Sequence, residues 1–362
     1  MKQQTWENNS MGKGSQVRVG WFCPTNGDRS AFGDPEKTIP RSLDNFLDVT
    51  AAAEQAGMEY MLIPVGPTCW DAWTAASFIA ARQPKIKPLV AMKPGFIHPV
   101  AQAKMIASFS QFTGGRIYIN LIAGISEKEA ASEGQLASKE ARYRQLEEEV
   151  VLIKRLLTEK NVKFDGEFYH VDEPAIIPEL PGGAPEFFLG GGSQQALEIS
   201  ARHSAVHLFW GDYPEVIAGQ IKQIKELARG YGREQDIEFA MRLQIICRET
   251  EEEAWEFAHQ LVAGADEQRA SKSVRDGHVD SVANQRQKEL AEVGSKLTPH
   301  LWTGINEVRL GAGVAVVGNP RQVADQLKEF LAAGCSGFCL SGYPHANEAE
   351  IFGRLVMPLL QR

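Results

Sequence analysis

The sequence lacks the features that mark a membrane protein, a secreted protein or a nucleic-acid-binding protein. No apolar run approaches the roughly 18 residues that a membrane span requires, and the polar first 16 residues contain no signal-peptide core. The 38 lysines and arginines are outnumbered by 46 aspartates and glutamates, so no basic excess is available to displace counterions from a polyanion. We therefore expect a cytoplasmic protein with a flexible tail over residues 1–16 and with no nucleic-acid or membrane partner.

Cysteine pairs and metal-binding patterns are equally scarce. The five cysteines form an odd set without a C-x-x-C pair, which is typical of a reducing compartment. The eight histidines are scattered and no H-E-x-x-H occurs, so we expect no metal site. No G-x-G-x-x-G follows the first apolar run, which argues against a dinucleotide-binding domain, and neither a Walker loop nor a G-x-S-x-G elbow is present.

The sequence does contain a regular alternation of short apolar runs with longer amphipathic ones. Eight runs of strand length begin near residues 17, 59, 86, 116, 185, 205, 237 and 336, and a helix-length run follows each. Continuous apolar strands that alternate with helices indicate a parallel sheet covered on its outer side. Eight such units favour a single (β/α)8 TIM barrel over residues 17–362 rather than two average domains.

Residues 266–312 interrupt this rhythm. The first half of the segment is polar and charged, and the second half is rich in glycine. A long polar insertion between barrel units is typical of a functional lid or of a disordered segment. We expect a lid here, and we leave open whether part of it moves when no ligand is bound.

A glycine-rich stretch, LGGGSQQA (189–196), follows the fifth predicted strand, at the barrel end where active sites lie. Its glycines would let the main chain approach an oxyanion, and the next helix would offer free N–H groups at its N-terminus. A tight structural turn capped by Ser193 explains the stretch equally well. The position after a later strand favours phosphate binding slightly, because such sites often involve the later strands.

Polar side chains in or after the last two strands are further candidates. Arg242 and Gln244 lie two residues apart in an apolar strand, so they share a face, which we expect to be the cavity face. A buried guanidinium needs an anion, which favours a ligand role over an outward charge or a structural ion pair. Tyr343 and His345, after the last strand, either move protons or serve a structural role. Cys69 follows the second strand instead, and a cysteine without an assigned histidine partner is more often inert than a nucleophile. The residues alone indicate a barrel enzyme with an anionic, phosphate-bearing ligand.

Nine stretches, in order from about residue 17 to 361, resemble the bacterial luciferase-like flavin monooxygenases. The similarity is greatest to the FMNH2-dependent alkanesulfonate monooxygenases. The stretches are WFCPTNGD (21–28), LIPVGPTCWDAW (62–73), NLIAG (120–124), FFLGGGSQQA (187–196), FWGDYPE (209–215), MRLQIICRETEEEAW (241–255), LWTGINEVRLGAG (301–313), VVGNPRQVA (316–324) and LSGYPHANEA (340–349).

The resemblance implies a chemistry and a set of partners. Members of the family are (β/α)8 barrels whose insertion closes over the site, and they form dimers or tetramers, so we expect a homodimer or homotetramer. FMN is taken up as FMNH2 from a separate NAD(P)H-dependent flavin reductase and reacts with O2. In the sulfonate branch, cleavage of the C–S bond then releases sulfite and an aldehyde. A closed, water-free site protects the flavin–oxygen adduct.

The resemblance also implies roles for residues at the substrate end of the site. Arg242 and Arg309 would hold the charges of the sulfonate and the oxygen adduct, since paired guanidinium donors suit a tetrahedral oxyanion. Tyr343 would donate a hydrogen bond or a proton to oxygen. Trp210 would form a wall of the substrate pocket, and Cys69 would lie beside the flavin. At the cofactor end, Tyr143, Gly192 and Ser193 would bind the FMN phosphate, and Asn120 would lie near the flavin ring.

Four positions depart from the pattern of the sulfonate enzymes. They place histidine where this chain has Gln244 and Asn26, arginine where it has Lys93, and threonine where it has Ala123. Glutamine forms hydrogen bonds but cannot carry a proton near neutral pH. We therefore expect an altered substrate pocket that includes Gln244, Asn26 and His345, and a retained flavin site to which Lys93 contributes.

Three alternatives remain open at this point. The same flavin chemistry could act on a sulfone, a sulfinate, a pyrimidine or another small heteroatom compound. The stretch AGADE (263–267) is similar to a segment of the pyrimidine-ring-opening oxygenases of the superfamily. A deazaflavin-dependent dehydrogenase on the same fold is a second alternative, and a non-catalytic flavin-binding protein is a third.

Overall fold

The structure is a computed structural model that describes residues 16–123, 127–135, 137–174, 180–266 and 281–361. Within these ranges, parallel strands pair in chain order and the last pairs with the first, which closes a barrel. The barrel strands are β1 (Arg18–Phe22), β2 (Tyr60–Ile63), β3 (Lys87–Met92), β4 (Tyr118–Leu121), β5 (Phe187–Gly190), β6 (Val206–Trp210), β7 (Glu238–Cys247) and β8 (Gly337–Ser341). The predicted (β/α)8 TIM barrel is confirmed.

Helices surround the barrel and cover the outer faces of its strands. The described α-helices are Leu43–Gln55, Ala72–Arg82, Pro99–Thr113, Glu127–Ser132, Lys139–Thr158, Gln194–His203, Pro214–Arg229, Glu251–Ala263, Val282–Val293, Pro320–Ala332, His345–Leu355 and Met357–Leu360. None of these helices is both long enough and apolar enough to cross a membrane.

The barrel interior is filled by large side chains from alternate strand positions. Tyr60, Tyr118 and Phe188 belong to this interior cluster, and the Tyr60 hydroxyl donates to the main-chain oxygen of Phe338 at 2.9 Å. A β carbon at Gly20 would lie 2.2 Å from the Tyr60 ring. Glycine at this position therefore makes room for the ring that fills the centre of the barrel.

The N-terminal end of the barrel is closed by a compensated charge cluster around Arg18. Its guanidinium lies 3.1 Å from Glu59, 2.9 Å from Glu186 and 2.9 Å from Glu238. Burial alone would lower the pKa of Arg18, but the neighbouring carboxylates outweigh this effect and raise it. This end of the barrel is therefore neutralised and filled, and the opposite end is left for a ligand.

The 266–312 insertion and the segment after it contain regular structure that the sequence pattern did not reveal. Helix Val282–Val293, which we call the cover helix, begins after Ser281, whose hydroxyl accepts from the Asn284 N–H at 3.2 Å. Strand Ala315–Gly318 extends the sheet beside β7 and also pairs with Leu301–Trp302. Four apolar residues between glycines give too short a signal for a strand. Residues 267–280 of the predicted lid, and residues 1–15 of the predicted tail, lie outside the described residues.

Candidate active site

Arg242 lies in β7 and points into the upper part of the barrel. Its side chain is 5% exposed, and Nη1 donates to the main-chain oxygens of Leu243 at 3.0 Å and Cys339 at 3.4 Å. The guanidinium carbon is 4.9 Å from the centre of the Phe22 ring. No carboxylate of the described chain pairs with it, and burial, helped by the charge of Arg309, lowers the pKa of Arg242. The site thus holds a buried cation that an anionic ligand would neutralise.

Arg309 and Tyr343 come together beside this cation. Nη1 of Arg309 donates to the Tyr343 hydroxyl, and Nε donates to the main-chain oxygen of Leu310 at 2.9 Å. Gly311 has φ +95°, and a β carbon there would lie 3.0 Å from Nη2 of Arg309. The Tyr343 ring is buried and packs edge-on against Phe32 at 5.1 Å. The C-terminal end of β8 therefore presents a phenol and a guanidinium as adjacent donors.

His345 forms a buried pair with Asp28 behind Tyr343. The Nδ1 atom of His345 is 2.7 Å from one Asp28 oxygen, and its main-chain N–H donates to the other at 2.7 Å. Burial would raise the pKa of Asp28, but the contacts with His345 outweigh it and lower the pKa. The imidazole also packs edge-on against the Tyr343 ring at 4.9 Å. His345, which we expected to bind substrate, is thus placed by Asp28 against Tyr343.

Gln244 shares the interior face with Arg242, as the strand periodicity predicted. Ala240, on the same face, belongs to the interior cluster. The Gln244 side chain is completely buried; Nε2 donates to the Ala312 main-chain oxygen at 2.9 Å, and Oε1 accepts from Ser341 Oγ at 2.6 Å. Both ends of this amide are therefore engaged by the chain itself.

Cys69 and Lys93 follow β2 and β3 and lie in a charged cluster. The Lys93 ammonium is 2.7 Å from Glu129 and also contacts Glu133. Burial raises the pKa of Cys69, although a hydrogen bond with Thr25 and the charge of Lys93 act in the opposite direction. The thiol is therefore neutral at pH 7, and the charge of Lys93 is balanced by two carboxylates.

The glycine turn after β5 has the geometry of an oxyanion site. Gly191 has φ +130°, a backbone conformation that favours glycine, and Gly192 is exposed. The Ser193 hydroxyl accepts from the Ala196 N–H at 3.2 Å, which confirms the predicted cap, and donates to the Tyr143 hydroxyl at 3.0 Å. Tyr143, Gly192 and Ser193 thus meet at the N-terminus of a ten-residue helix, where an anion is favoured.

The cover helix is fastened to the end of β6 by a partly exposed ion pair and a buried hydrogen bond. Arg286 forms a bidentate pair with Asp212, at 2.6 Å and 2.9 Å. Gln287 is 2% exposed, and its Nε2 donates to the main-chain oxygen of Gly211 at 2.9 Å. These residues could not be recognised in the sequence, because polar side chains in a polar insertion give no signal that they contact the barrel.

A cavity of about 390 Å³ lies between the glycine turn, the end of β6 and the cover helix. Trp210 forms part of its wall, and Gly192 lies at the turn side. A β carbon at Gly192 would lie 3.4 Å from a methyl group of Val282, so the cover helix rests directly on the turn.

Two asparagines complete the predicted set. Asn120 is 5% exposed near the end of β4, two residues after the interior Tyr118. Its side chain makes no hydrogen bond to any residue that the structure describes. Asn26, after β1, is exposed at the C-terminal end of the barrel. The amide of Asn120 is therefore left for a ligand at the barrel mouth.

Metal-ligand geometry is absent from the described ranges, where no group of three histidine, cysteine or acidic residues is placed to hold an ion. His203 and His207 stand four residues apart, but the helix ends at His203 and His207 lies in β6. His203 lies 3.0 Å from Glu147, and His207 lies 2.9 Å from Ser200. Burial lowers the pKa of His207 to about 3, so its ring is neutral.

The fold and the site together define a TIM-barrel protein with a buried arginine and a glycine turn at a helix N-terminus, both at the C-terminal end of its strands. A family model for the luciferase-like monooxygenases matches residues 17–337. The chain belongs to the luciferase-like monooxygenase family.

Solved structures show the same fold at low sequence identity. EDTA monooxygenase (EmoA) from Chelativorans sp. BNC1 has a TM-score of 0.79 and 20% identity, with 96% of this chain and 94% of that chain covered. DmoA from Hyphomicrobium sulfonivorans has a TM-score of 0.78 and 17% identity, with 96% and 88% covered. Riboflavin lyase (RcaE), solved with modified FMN and riboflavin, has a TM-score of 0.77 and 18% identity, with 96% and 91% covered.

Proposed function

We propose that this protein is a two-component, FMNH2-dependent monooxygenase that uses O2 to cleave the C–S bond of an organosulfonate. The observation that carries this function is the buried guanidinium of Arg242, which pairs with no carboxylate of the described chain and lies within reach of the charge of Arg309. A buried cation without a counter-ion destabilises the folded protein by several kcal/mol. Such a site is suited to bind an anion, and substrate binding would relieve the repulsion between the two arginines.

A sulfonate matches the donors that surround this cation. Its negative charge is shared by three oxygens on a tetrahedral sulfur, and two guanidiniums can each offer planar, paired N–H donors to them. The hydroxyl of Tyr343, already in contact with Arg309, supplies a further donor. A neutral sulfone would leave both arginine charges uncompensated, so the charge pattern favours a sulfonate.

A second candidate is the same chemistry on another small substrate. A sulfinate is also an anion and satisfies the same charge argument. Gln244 in place of a histidine supports an altered pocket, since an amide cannot carry a proton as imidazole does.

The cofactor end of the site fits the phosphate of FMN. A phosphate would meet the hydroxyls of Tyr143 and Ser193, which are 3.0 Å apart, and the exposed main chain of Gly192. The N-terminus of the following helix adds a favourable dipole. The amide of Asn120 at the barrel mouth would hydrogen-bond to the polar edge of a flavin ring, and Lys93, held by its two carboxylates, would support the neighbouring loop.

FMN, bound in its reduced form, would supply the two electrons needed for one atom of O2 to reach the substrate carbon and for the other to leave as water. The C–S bond breaks with its electron pair going to sulfite, and the carbon becomes an aldehyde. As charge grows on the departing sulfite, Arg242 and Arg309 stabilise it. Tyr343 holds a proton at its hydroxyl, and the neutral thiol of Cys69 offers a hydrogen bond. Trp210, at the end of β6, would help to exclude water from the reacting groups.

The proposed chemistry requires partners. A separate NAD(P)H-dependent flavin reductase would deliver FMNH2 in a transient encounter, since no G-x-G-x-x-G motif for a dinucleotide follows the first strand of this chain. We also propose a homodimer or homotetramer in the cytoplasm, with residues 17–362 as one catalytic domain.

Sulfite release tests the function. The protein is supplied with a flavin reductase, NADH, FMN and O2, and a panel of alkyl and aryl sulfonates is screened for sulfite and aldehyde. We expect stoichiometric sulfite and aldehyde from at least one sulfonate, and none without the reductase. The absence of sulfite from the whole panel would refute sulfonate cleavage.

Parallel assays separate the other activities. Oxygen-dependent turnover of a sulfinate, sulfone or pyrimidine would support the second candidate and exclude a non-catalytic flavin-binding role. Tight binding of a reduced deazaflavin, with hydride transfer and no oxygen consumption, would replace the monooxygenase with a dehydrogenase.

A further inference from the structure

We infer that Gln244 is a positioning residue that holds Arg309 in contact with Tyr343, and that it does not itself bind the substrate. This inference deepens the proposed function and rests on it for the choice of probe anion. Two side-chain contacts carry the inference: Nε2 of Gln244 donates to the Ala312 main-chain oxygen at 2.9 Å, and Oε1 accepts from Ser341 Oγ at 2.6 Å.

These two contacts join the two segments that carry the reactive donors. Ala312 lies three residues after Arg309, and Ser341 lies two residues before Tyr343. A single buried amide therefore spans from the Arg309 segment, residues 308–313, to the end of β8. Any change in the separation of these segments would alter the contact between the Arg309 guanidinium and the Tyr343 hydroxyl.

Main-chain hydrogen bonds between β7 and the strand Ala315–Gly318 do not extend to the Arg309 segment. The Gln244 N–H donates to the Val314 oxygen at 2.9 Å, and regular pairing with β7 begins at Ala315. The Gln244 side chain extends this attachment to Ala312. From the opposite side, Oδ1 of Asn284 in the cover helix accepts from the Gly311 N–H at 3.0 Å. The Arg309 segment is therefore held between β7 and the cover helix.

The burial of Gln244 argues against a substrate contact. The side chain is completely buried, and its donor end and acceptor end are both engaged. Because the side chain has no exposed surface, a ligand could reach the amide only if the surrounding residues, Ala312 or Ser341 among them, moved away and left a buried polar group unsatisfied. Arg242 lies two residues earlier on the same face and has no carboxylate partner in the described chain, so it is better suited than Gln244 to bind an anionic substrate.

Hydrogen–deuterium exchange on the full-length protein tests the positioning role. Gln244→Met keeps the length of the side chain and removes both hydrogen bonds. The matched control is Gln326→Met, which removes a buried amide that contacts Thr298 and Glu329 on the outer side of the barrel. We expect amides of residues 309–314 to exchange about tenfold faster in Gln244→Met and to be unchanged in the control. Unchanged exchange of this segment in Gln244→Met would overturn the inference.

A double-mutant cycle with Arg309→Ala distinguishes positioning from direct contact. The measured quantity is the affinity for methanesulfonate, by calorimetry. If Gln244 acts through Arg309, Gln244→Met weakens binding about tenfold in the wild-type background and less than about twofold in Arg309→Ala. Equal losses in both backgrounds would show a direct contact and overturn the inference. If the wild type does not bind methanesulfonate, the choice of sulfonate fails, and the exchange measurement still decides the role of Gln244.

Discussion

The buried charge of Arg242 predicts that one substitution both stabilises the ligand-free protein and removes anion binding. In Arg242→Met the aliphatic part of the side chain is kept against Phe22, and the charge is lost. Two hydrogen bonds to main-chain oxygens disappear: the one at 3.0 Å comes from a charged donor and is worth about 1.5–3 kcal/mol, and the one at 3.4 Å is weaker because it is longer. A buried cation without a counter-ion lowers the stability of the folded state by several kcal/mol, and this penalty disappears with the charge. The penalty exceeds the loss by a small margin, so we expect the free energy of unfolding to rise by about 1 kcal/mol.

The same substitution removes a charged donor from the proposed sulfonate site. Loss of one partner from a buried, hydrogen-bonded ion pair costs about 2–5 kcal/mol, which corresponds to a roughly 30- to 5,000-fold loss in kcat/KM. Stability is measured by urea unfolding of the cofactor-free protein, and kcat/KM by sulfite release at limiting sulfonate.

Arg18→Met is the matched control for stability. Arg18 is also a largely buried arginine, but it pairs with Glu59, Glu186 and Glu238. Its removal leaves these carboxylates facing one another, so we expect a loss of about 1–3 kcal/mol in the free energy of unfolding. Equal destabilisation by both substitutions, with kcat/KM retained in Arg242→Met, would refute the reasoning about the uncompensated charge.

Three further predictions concern other parts of the molecule. Burial raises the pKa of Glu149 from 4.5 to about 7, so the stability it contributes is full below pH 4.5 and is lost as pH rises to 7. Glu149→Gln should therefore be more stable than wild type at pH 8, by up to about 3 kcal/mol, and equal to it at pH 4.5 in urea titrations. Tyr143→Phe should weaken FMN binding about tenfold by fluorescence titration, with the melting temperature of the cofactor-free protein unchanged. Gly311→Ala, at φ +95° and 3.0 Å from the guanidinium of Arg309, should lower stability by about 1 kcal/mol and reduce sulfonate affinity by calorimetry.

The barrel could be predicted because the sequence pattern that encodes each strand and each helix is local. Each barrel strand is a short apolar run followed by a helix-length amphipathic run, and this rhythm survives without knowledge of distant contacts. The interior face shared by Arg242 and Gln244 also followed from the two-residue period of a strand. The cap at Ser193 followed from the preference of a serine hydroxyl for the free N–H groups at a helix start.

The partners of the candidate site residues could not be predicted, because they are distant in sequence. Gln244 meets Ala312 across 68 residues, and His345 meets Asp28 across 317. An amide or an imidazole after an apolar run gives the same local pattern whether it faces a ligand or the chain itself. The strand Ala315–Gly318 was missed for a related reason, since its short length makes it recognisable only beside β7.

Simultaneous measurement of sulfite and oxygen tests the central claim most directly. The wild type and Arg242→Met are each supplied with FMNH2, O2 and the best sulfonate of the panel. We predict one sulfite per O2 consumed in the wild type. In Arg242→Met, we predict that sulfite falls at least 30-fold while O2 is reduced to hydrogen peroxide instead. Sulfite yield that is unchanged in Arg242→Met would contradict a sulfonate held by this buried guanidinium.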